Sequence, residues 1–223
     1  KLESPVSVRI IGIQEIEKNP GGNRDISKVI QSFPGVASTP AFRNDVIVRG
    51  GGPNENRFYL DEIEIHYLNH FSTQGASGGP VGIINVDFIK ELNFYSGAFP
   101  ASRGNAMSSV LSFRQVDGND EKFKFRTTVG ASDLGITVDG PTGENSTLIM
   151  SARRSYLQFL FNIIGLPFLP TYNDFQFKHK TKISDKGELT VLGIGALDDF
   201  ELNRDANETA YQRYILDYIP VQE

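Results

Sequence analysis

The chain has 223 residues, 39% of them apolar, enough for one large domain or two small ones with a packed core. Its 22 basic and 27 acidic residues leave a formal charge of −5 with no basic block, which argues against a nucleic-acid binder. No cysteine is present, so disulfides, thiolate metal sites and cysteine nucleophiles are excluded, and the compartment stays open between a reducing cytosol and a bacterial envelope.

No charged-then-apolar leader opens "KLESPVSV", and no apolar run of about 18 residues occurs, so neither a signal peptide nor a spanning helix is expected. The longest apolar patch, "YLQFLFNIIGLPFLP", is interrupted by Gly165, Pro167 and Pro170. With 22 glycines, 16 phenylalanines and 8 tyrosines against no tryptophan, the composition favours strands and tight turns.

In chain order, "SPVSVRIIGI" reads as a strand and "IQEIEKNPGG" as a short helical turn stopped by Pro20. In "NRDISKVIQSFPGV", Ile26, Val29, Ile30 and Phe33 share one helical face, with Asn23 as N-cap and Pro34-Gly35 as stop. "DVIVRG" and "RFYLDEIEI" are two short strands around a Gly-rich link, and "IKELNFYSGAF" and "SSVLSFRQ" are two more. Beyond "QVDGND" the texture changes. "KFKFRTTVGA", "LGITVDG", "STLIMSARRSY", "DFQFKHKTKIS" and "ELTVLGIGAL" alternate between turn clusters such as "GPTGEN" and "SDKG", the pattern of an antiparallel meander with strands about ten residues long.

In "DFQFKHKTKIS", Phe175 and Phe177 share a face with His179, Thr181 and Ile183, while Gln176, Lys178, Lys180 and Lys182 occupy the other, which is expected to see water. A soluble sandwich and a membrane barrel both produce this alternation. Arg153 and Arg154 are adjacent in a strand and so point to opposite faces. The one that enters the apolar side or its margin needs a carboxylate, for which Asp61, Glu62, Glu91 and Asp174 are available.

Candidate chemistry is sparse. "GGGPNENR" lacks the GxxxxGK(S/T) spacing and runs from strand to strand, the wrong context for a phosphate loop. His66 and His70 in "HYLNH" are four apart but lie where a strand enters a Gly-rich loop, without the HExxH pattern, so no metal is expected. No GxSxG elbow occurs, and no catalytic residue or cofactor is assigned.

Taken together, the motifs of the first half resemble the plug domain of TonB-dependent outer-membrane receptors. "SPVSVRIIGIQEIEKNPGGNRDISKVIQSFPGVAST" is similar to that family's opening, and "IVRGGGPNENRFYLDEIEI" to its Arg-Gly strand and "LxDG" hairpin, with Glu62 in place of the usual glycine. "INVDFIKELNFYSGAFPASRGNAMSSVLSFRQVDG" resembles the segment that closes the plug, with Arg103 where the family has tyrosine. "LIMSARRSYLQFLF" and "YNDFQFKHKTKISDKGELTVLGIGALDDF" resemble the first barrel strands of receptors of the Bacteroidetes type.

The resemblance implies an α+β chain: a small mixed-sheet plug domain over 1–117, then over 118–223 an antiparallel β-meander that begins an incomplete outer-membrane β-barrel, since whole barrels of this kind have about 22 strands. It implies import of a scarce nutrient of unknown class with energy from the TonB complex, engaged through an upstream segment. The plug would lie within the barrel, and a surface lipoprotein is a further implied partner. For ligand contact, the loop "HYLNHFSTQGASGGP" nominates His66, Tyr67, Asn69, His70, Phe71 and Gln74. Plug–barrel charge contacts are expected from Arg49, Arg57, Glu62, Arg103, Arg153 and Arg154, and structural turns from Gly50, Gly51, Gly52, Gly78 and Gly79. Two rivals remain at this point: a self-contained soluble β-rich module that binds carbohydrate or protein, and a hydrolase using His66 or His70.

Overall fold

The computed structural model describes residues 8–19, 25–39, 44–72, 76, 79, 81–166, 168–203, 209, 210 and 213. The chain divides into two compact units, residues 1–116 and 117–223.

In the first unit, β1 (Val8–Gly12) leads into α1 (Ile13–Lys18), and α2 (Ile26–Gln31) precedes the short strands β2 (Val36–Ala37) and β3 (Ile47–Val48). A 3-10 turn over Pro53–Glu55 leads to β4 (Asn56–Leu60), β5 (Ile63–Ile65), β6 (Ile89–Tyr95) and β7 (Ser109–Gln115). β2 pairs with β3, and the other strands form one sheet in the order β1-β6-β7-β4-β5. The β4–β7 pairing is parallel and the rest antiparallel, so the sheet is mixed. The expected face of α2 is the one that packs: Ile26, Val29, Ile30 and Phe33 are all buried, together with Leu92, Leu111 and Phe113 of the sheet. Arg9 lies over the Phe33 ring at 4.1 Å, and Phe33 meets Phe94 at 6.0 Å between centroids.

Two local expectations change. The N-cap of α2 is Asp25, whose carboxylate accepts from Ser27 N at 2.8 Å; the expected cap Asn23 lies outside the described residues. "RFYLDEIEI" is not one strand but the hairpin its family resemblance implies, because Asp61 and Glu62 both take positive φ, 45° and 73°, and turn β4 back into β5. That is the two-residue turn whose twist matches paired strands, and it favours Asn, Asp or Gly. Asp61 also extends the parallel pairing: its backbone N–H donates to Phe113 O at 2.9 Å, and its carboxylate accepts from Gln115 N at 2.8 Å.

The second unit is an open antiparallel sheet in the order β12-β11-β10-β9-β8. Its strands are β8 (Lys124–Val129), β9 (Asp133–Gly143), β10 (Ser146–Ser155), β11 (Phe168–Ser184) and β12 (Gly187–Leu202), with α3 (Leu157–Ile163) between β10 and β11. The last two strands, at 17 and 16 residues, are longer than the ten expected. α3 also departs from expectation: residues 157–161, the end of the stretch "LIMSARRSYLQFLF" whose resemblance implies barrel strand, are helical. It ends in a Schellman motif, with Gly165 at φ 69° and bonds from Leu166 N to Phe161 O (2.9 Å) and from Gly165 N to Asn162 O (3.2 Å).

Asp61→Ala removes the acceptor for Gln115 N and places alanine at a φ it adopts poorly, so it destabilises the protein by about 2 kcal/mol, while Asp61→Asn retains most of the stability. Denaturant midpoints of the two variants in detergent check this.

Candidate functional site

The Gly-rich link forms one wall of a cleft in the first unit. After Arg49, at φ 51°, the chain turns at Gly50, at φ 80°, where a β-carbon would be strained. Gly51 lies so close to Ser108 that a β-carbon would stand 2.5 Å from its Oγ, and Gly52 faces the Asn54 and Glu55 side chains. Ser108 Oγ donates to Val48 O at 2.7 Å, Asn56 Nδ2 donates to Val46 O at 2.6 Å, and Ser109 Oγ donates to Asn56 Oδ1 at 2.6 Å. The cleft, about 550 Å³, is lined by Arg49, Glu55, Ser96, Phe99 and Met107 among others, and Arg49 Nη2 donates to Ser96 Oγ at 3.3 Å.

The acids after the link have partners in the same unit. Arg103 pairs with Glu62 and stacks over the Tyr59 ring at 4.2 Å, and Arg57 donates to Asn105 O at 3.1 Å and pairs with Glu64 at 3.6 Å. Glu62 and Glu64 therefore brace a hairpin. These are partly exposed pairs, worth little individually, and their role is geometric.

The loop after β5 is pinned at its base. His70 N donates to Val81 O and Ile83 N to Leu68 O, both at 2.8 Å, with Asn69 bridging to Gly82. The Asn69 side chain donates to Gly79 O at 3.0 Å and accepts from Ser27 Oγ at 2.8 Å. Gly79 admits no side chain, since a β-carbon there would stand 1.9 Å from His70 O. Asn69 and His70, 3% and 1% exposed, are buried parts of this clamp. His66 and Tyr67 are exposed and Phe71 is half-buried at φ 54°. Gln74 and Gly78 lie outside the described residues. Among the described residues no group of His, Asp and Glu could hold a metal.

Asp25 joins α2 to this clamp. It is buried, accepts from Asn44 Nδ2 at 2.7 Å as well as from Ser27 N, and its Oδ1 would stand 3.3 Å from a β-carbon on Gly82. Burial raises its carboxyl above the usual aspartate range, opposed by hydrogen bonds from the Ser27, Lys28 and Gly82 backbone. The available signal was an Asp immediately ahead of an apolar-periodic run.

In the second unit the two faces are reversed from the expectation. The polar residues of β11 are the buried ones: Tyr172, Asp174, Gln176 and Lys178 are each at most 6% exposed. The opposite face is apolar and open, with Phe175 51%, Met150 46%, Ile136 58% and Leu197 69% exposed. Phe175 and Phe177 lie over the facing glycines Gly195 and Gly193, where β-carbons would clash with the rings. Arg153 is the inward arginine. It meets its cross-strand neighbour Asp174 through two contacts, Nε to Oδ1 at 3.0 Å and Nη2 to Oδ2 at 2.8 Å, while exposed Arg154 donates to Asn173 Oδ1 at 3.1 Å. Lys178 and Lys180 share Asp117, at 2.8 and 3.1 Å. A soluble sandwich buries its apolar face. An outer-membrane wall exposes it to lipid.

The family model of the TonB-dependent Receptor Plug Domain matches residues 1–110. The chain belongs to the TonB-dependent receptors. Membership places it in the bacterial outer membrane, in a family of transporters. Among solved structures it is similar to the ferric enterobactin receptor of Pseudomonas aeruginosa in complex with enterobactin, at 15% identity over 95% of this chain and 36% of that one, with a TM-score of 0.65. It is also similar to a siderophore receptor of Acinetobacter baumannii (15% identity, 87% and 32% coverage, TM-score 0.63). A third is the pyoverdine outer-membrane receptor of Pseudomonas aeruginosa bound to pyoverdine (16%, 88% and 28%, TM-score 0.61). At these identities the likeness is one of fold. The chain spans about a third of the length of these receptors. No curated protein matches the sequence.

In this receptor the raised Asp25 pKa has a definite sign. Its contribution to stability is present below the unfolded value of 3.8 and is lost as pH rises through the folded value. Stability measured against pH therefore falls above about pH 4 by an increment that Asp25→Asn removes, and Asp25→Ala, which also deletes the cap, destabilises by about 1 kcal/mol below that pH and by less above it.

Proposed function

We propose that the chain is the amino-terminal portion of an active importer, in which the plug gates the barrel and TonB-supplied energy moves it to admit a scarce nutrient. The observation that carries this reading is the pairing of a plug-family unit with a sheet whose apolar face is exposed and whose polar face is buried. A wall of that polarity has lipid outside and a polar lumen inside. A plug is needed because a lumen of about 22 strands is otherwise an open channel.

Ligand enters in this reading at the loop after β5, through exposed His66 and Tyr67 and the half-buried ring of Phe71. The clamp of Asn69, His70 and Gly79 beneath them fixes where those rings stand, and Asp25 ties the clamp to α2. Because Asn69 bonds Ser27 at the first turn of α2, a ligand pressing on the loop acts directly on a helix, which is the physical coupling a gate requires. Arg49, Arg57, Glu62, Arg103, Arg153 and Arg154 remain proposed charge contacts between plug and wall in the complete receptor, exchangeable because such pairs hold orientation more than stability. TonB engagement through a segment ahead of the plug, and a surface lipoprotein partner, complete the proposal. Ferric siderophores, named for the structural relatives, are the first ligand class to test.

In cells that depend on the complete receptor, His66→Ala with Tyr67→Ala weakens binding and uptake of its ligand by roughly tenfold, the scale of losing one aromatic anchor, with receptor abundance unchanged. Uptake that is unaffected in the variant, or that continues in cells lacking TonB, contradicts the reading.

A further inference from the structure

α3 is an apolar helix placed on the outward side of the sheet. Residues of β11 and β12 with the parity of Phe175 and Leu197 face outward, and continuing that parity brings Thr171 and Glu201 to the same side. Both bond the helix: Thr171 Oγ1 donates to Gln158 Oε1 and Gln158 Nε2 donates to Glu201 Oε2, each at 3.1 Å. With Gln158 turned to the sheet, Phe159, Ile163 and Ile164 are 65%, 66% and 65% exposed. From Leu157 to Asn173 the sequence has no charged residue.

The apolar belt of the strands ends where the helix begins. On β12 the exposed apolar residues run from Leu189 to Leu197, and Asp199 and Glu201 follow on the same face. That run is about 27 Å along the strand at about 3.4 Å per residue, hence about 21 Å of height at a tilt of about 40°. An outer-membrane wall presents an apolar band of about 25 Å, so β12 stops a few ångströms short at the Leu197 end, while on β11 exposed Ile183 carries the belt past Leu189 at the other end. A helix about 10 Å across, laid over that end, covers the difference.

We infer that α3 is an interfacial helix that extends the lipid-facing belt, setting Phe159, Ile163 and Ile164 among the acyl chains at one membrane boundary while Gln158 caps the carboxylate of Glu201. The occupant is lipid because the helix surface is continuous with the exposed apolar face of the sheet. Its lack of charge suits burial in the headgroup–acyl boundary, where an exposed carboxylate on the sheet requires a partner. Gln158, bonded to Thr171 and Glu201, holds the helix to the sheet, and the exposed Phe159, Ile163 and Ile164 point away from it. The inference rests on the outer-membrane reading of the second unit.

The test places single cysteines at Phe159, Ile163 and Ile164, with Phe175 and Gln158 as references, in the complete receptor with any cysteine outside this chain replaced by serine, reconstituted into phosphatidylcholine vesicles brominated on the acyl chains. A bimane label at Phe159→Cys, Ile163→Cys or Ile164→Cys is expected to be quenched several-fold more than at Gln158→Cys, and comparably to Phe175→Cys. Quenching at Phe175→Cys alone, with the helix positions reached by aqueous iodide, overturns the inference and leaves the membrane reading standing. Helix positions shielded from both quenchers overturn it in favour of a protein partner. Absence of lipid quenching at Phe175→Cys refutes the outer-membrane reading and the inference with it.

Discussion

A strand in hydrocarbon has no water to satisfy its backbone, so it must be paired along its length and must turn its two faces to two different solvents. The second unit is built on that constraint. Residues of one parity, from Ile136 through Met150 and Phe175 to Leu197, are open and apolar, and those of the other, from Thr137 through Ser151 to Asp174, Gln176 and Lys178, are buried and polar. Buried charge is costly without a partner, and the register supplies one: Arg153 stands opposite Asp174 on the next strand, and Lys178 reaches Asp117. Such pairs contribute little net stability against an apolar alternative. Their effect is to forbid a one-residue slip, which would carry the arginine to the lipid side.

The plug follows a different logic. Its core is conventional, with an apolar helix face on a mixed sheet, but its functional surface is positioned by polar pins. Asp25, Ser27, Asn44 and Asn69 form a chain of side-chain bonds from the start of α2 to the loop, and His70 and Gly79 close the loop's base by backbone contact. Left-handed residues concentrate at the same places, at Arg49, Asp61, Glu62 and Phe71, where the chain turns sharply into a hairpin, a cleft or a loop. Strain of this kind persists only where surrounding bonds over-determine it.

Much of this was legible in the sequence. Alternation located every strand of the wall and the order of motifs located the plug, because period-two patterning and turn chemistry are local properties. What alternation does not carry is which face is buried: Lys178 and Lys180 were read as facing water, and the neighbour that buries Lys178, Asp117, lies far away in sequence. α3 was hidden because an apolar run of its length fits a strand as well as a helix, although the Gly165-Leu166-Pro167 stop was there to be read. Burial in the loop is likewise not a local property. His70 and Asn69 are polar enough to pass for ligand groups, and only the packing of residues 81–83 against them shows that they are a clamp. Glu62, in the position of an expected glycine, keeps the turn and takes φ 73°.

The most direct test of this account is the solvent assigned to each parity of β11. Spin labels placed one at a time at residues 174 to 178 of the receptor in bilayers can be scored for collision with oxygen, which partitions into lipid, and with a water-soluble nickel chelate. Collision with oxygen is expected to peak at 175 and 177 and to fall to minima at 174, 176 and 178. An inverted pattern, or equal access of the nickel chelate to both parities, would contradict it and return the second unit to the soluble β-rich folds.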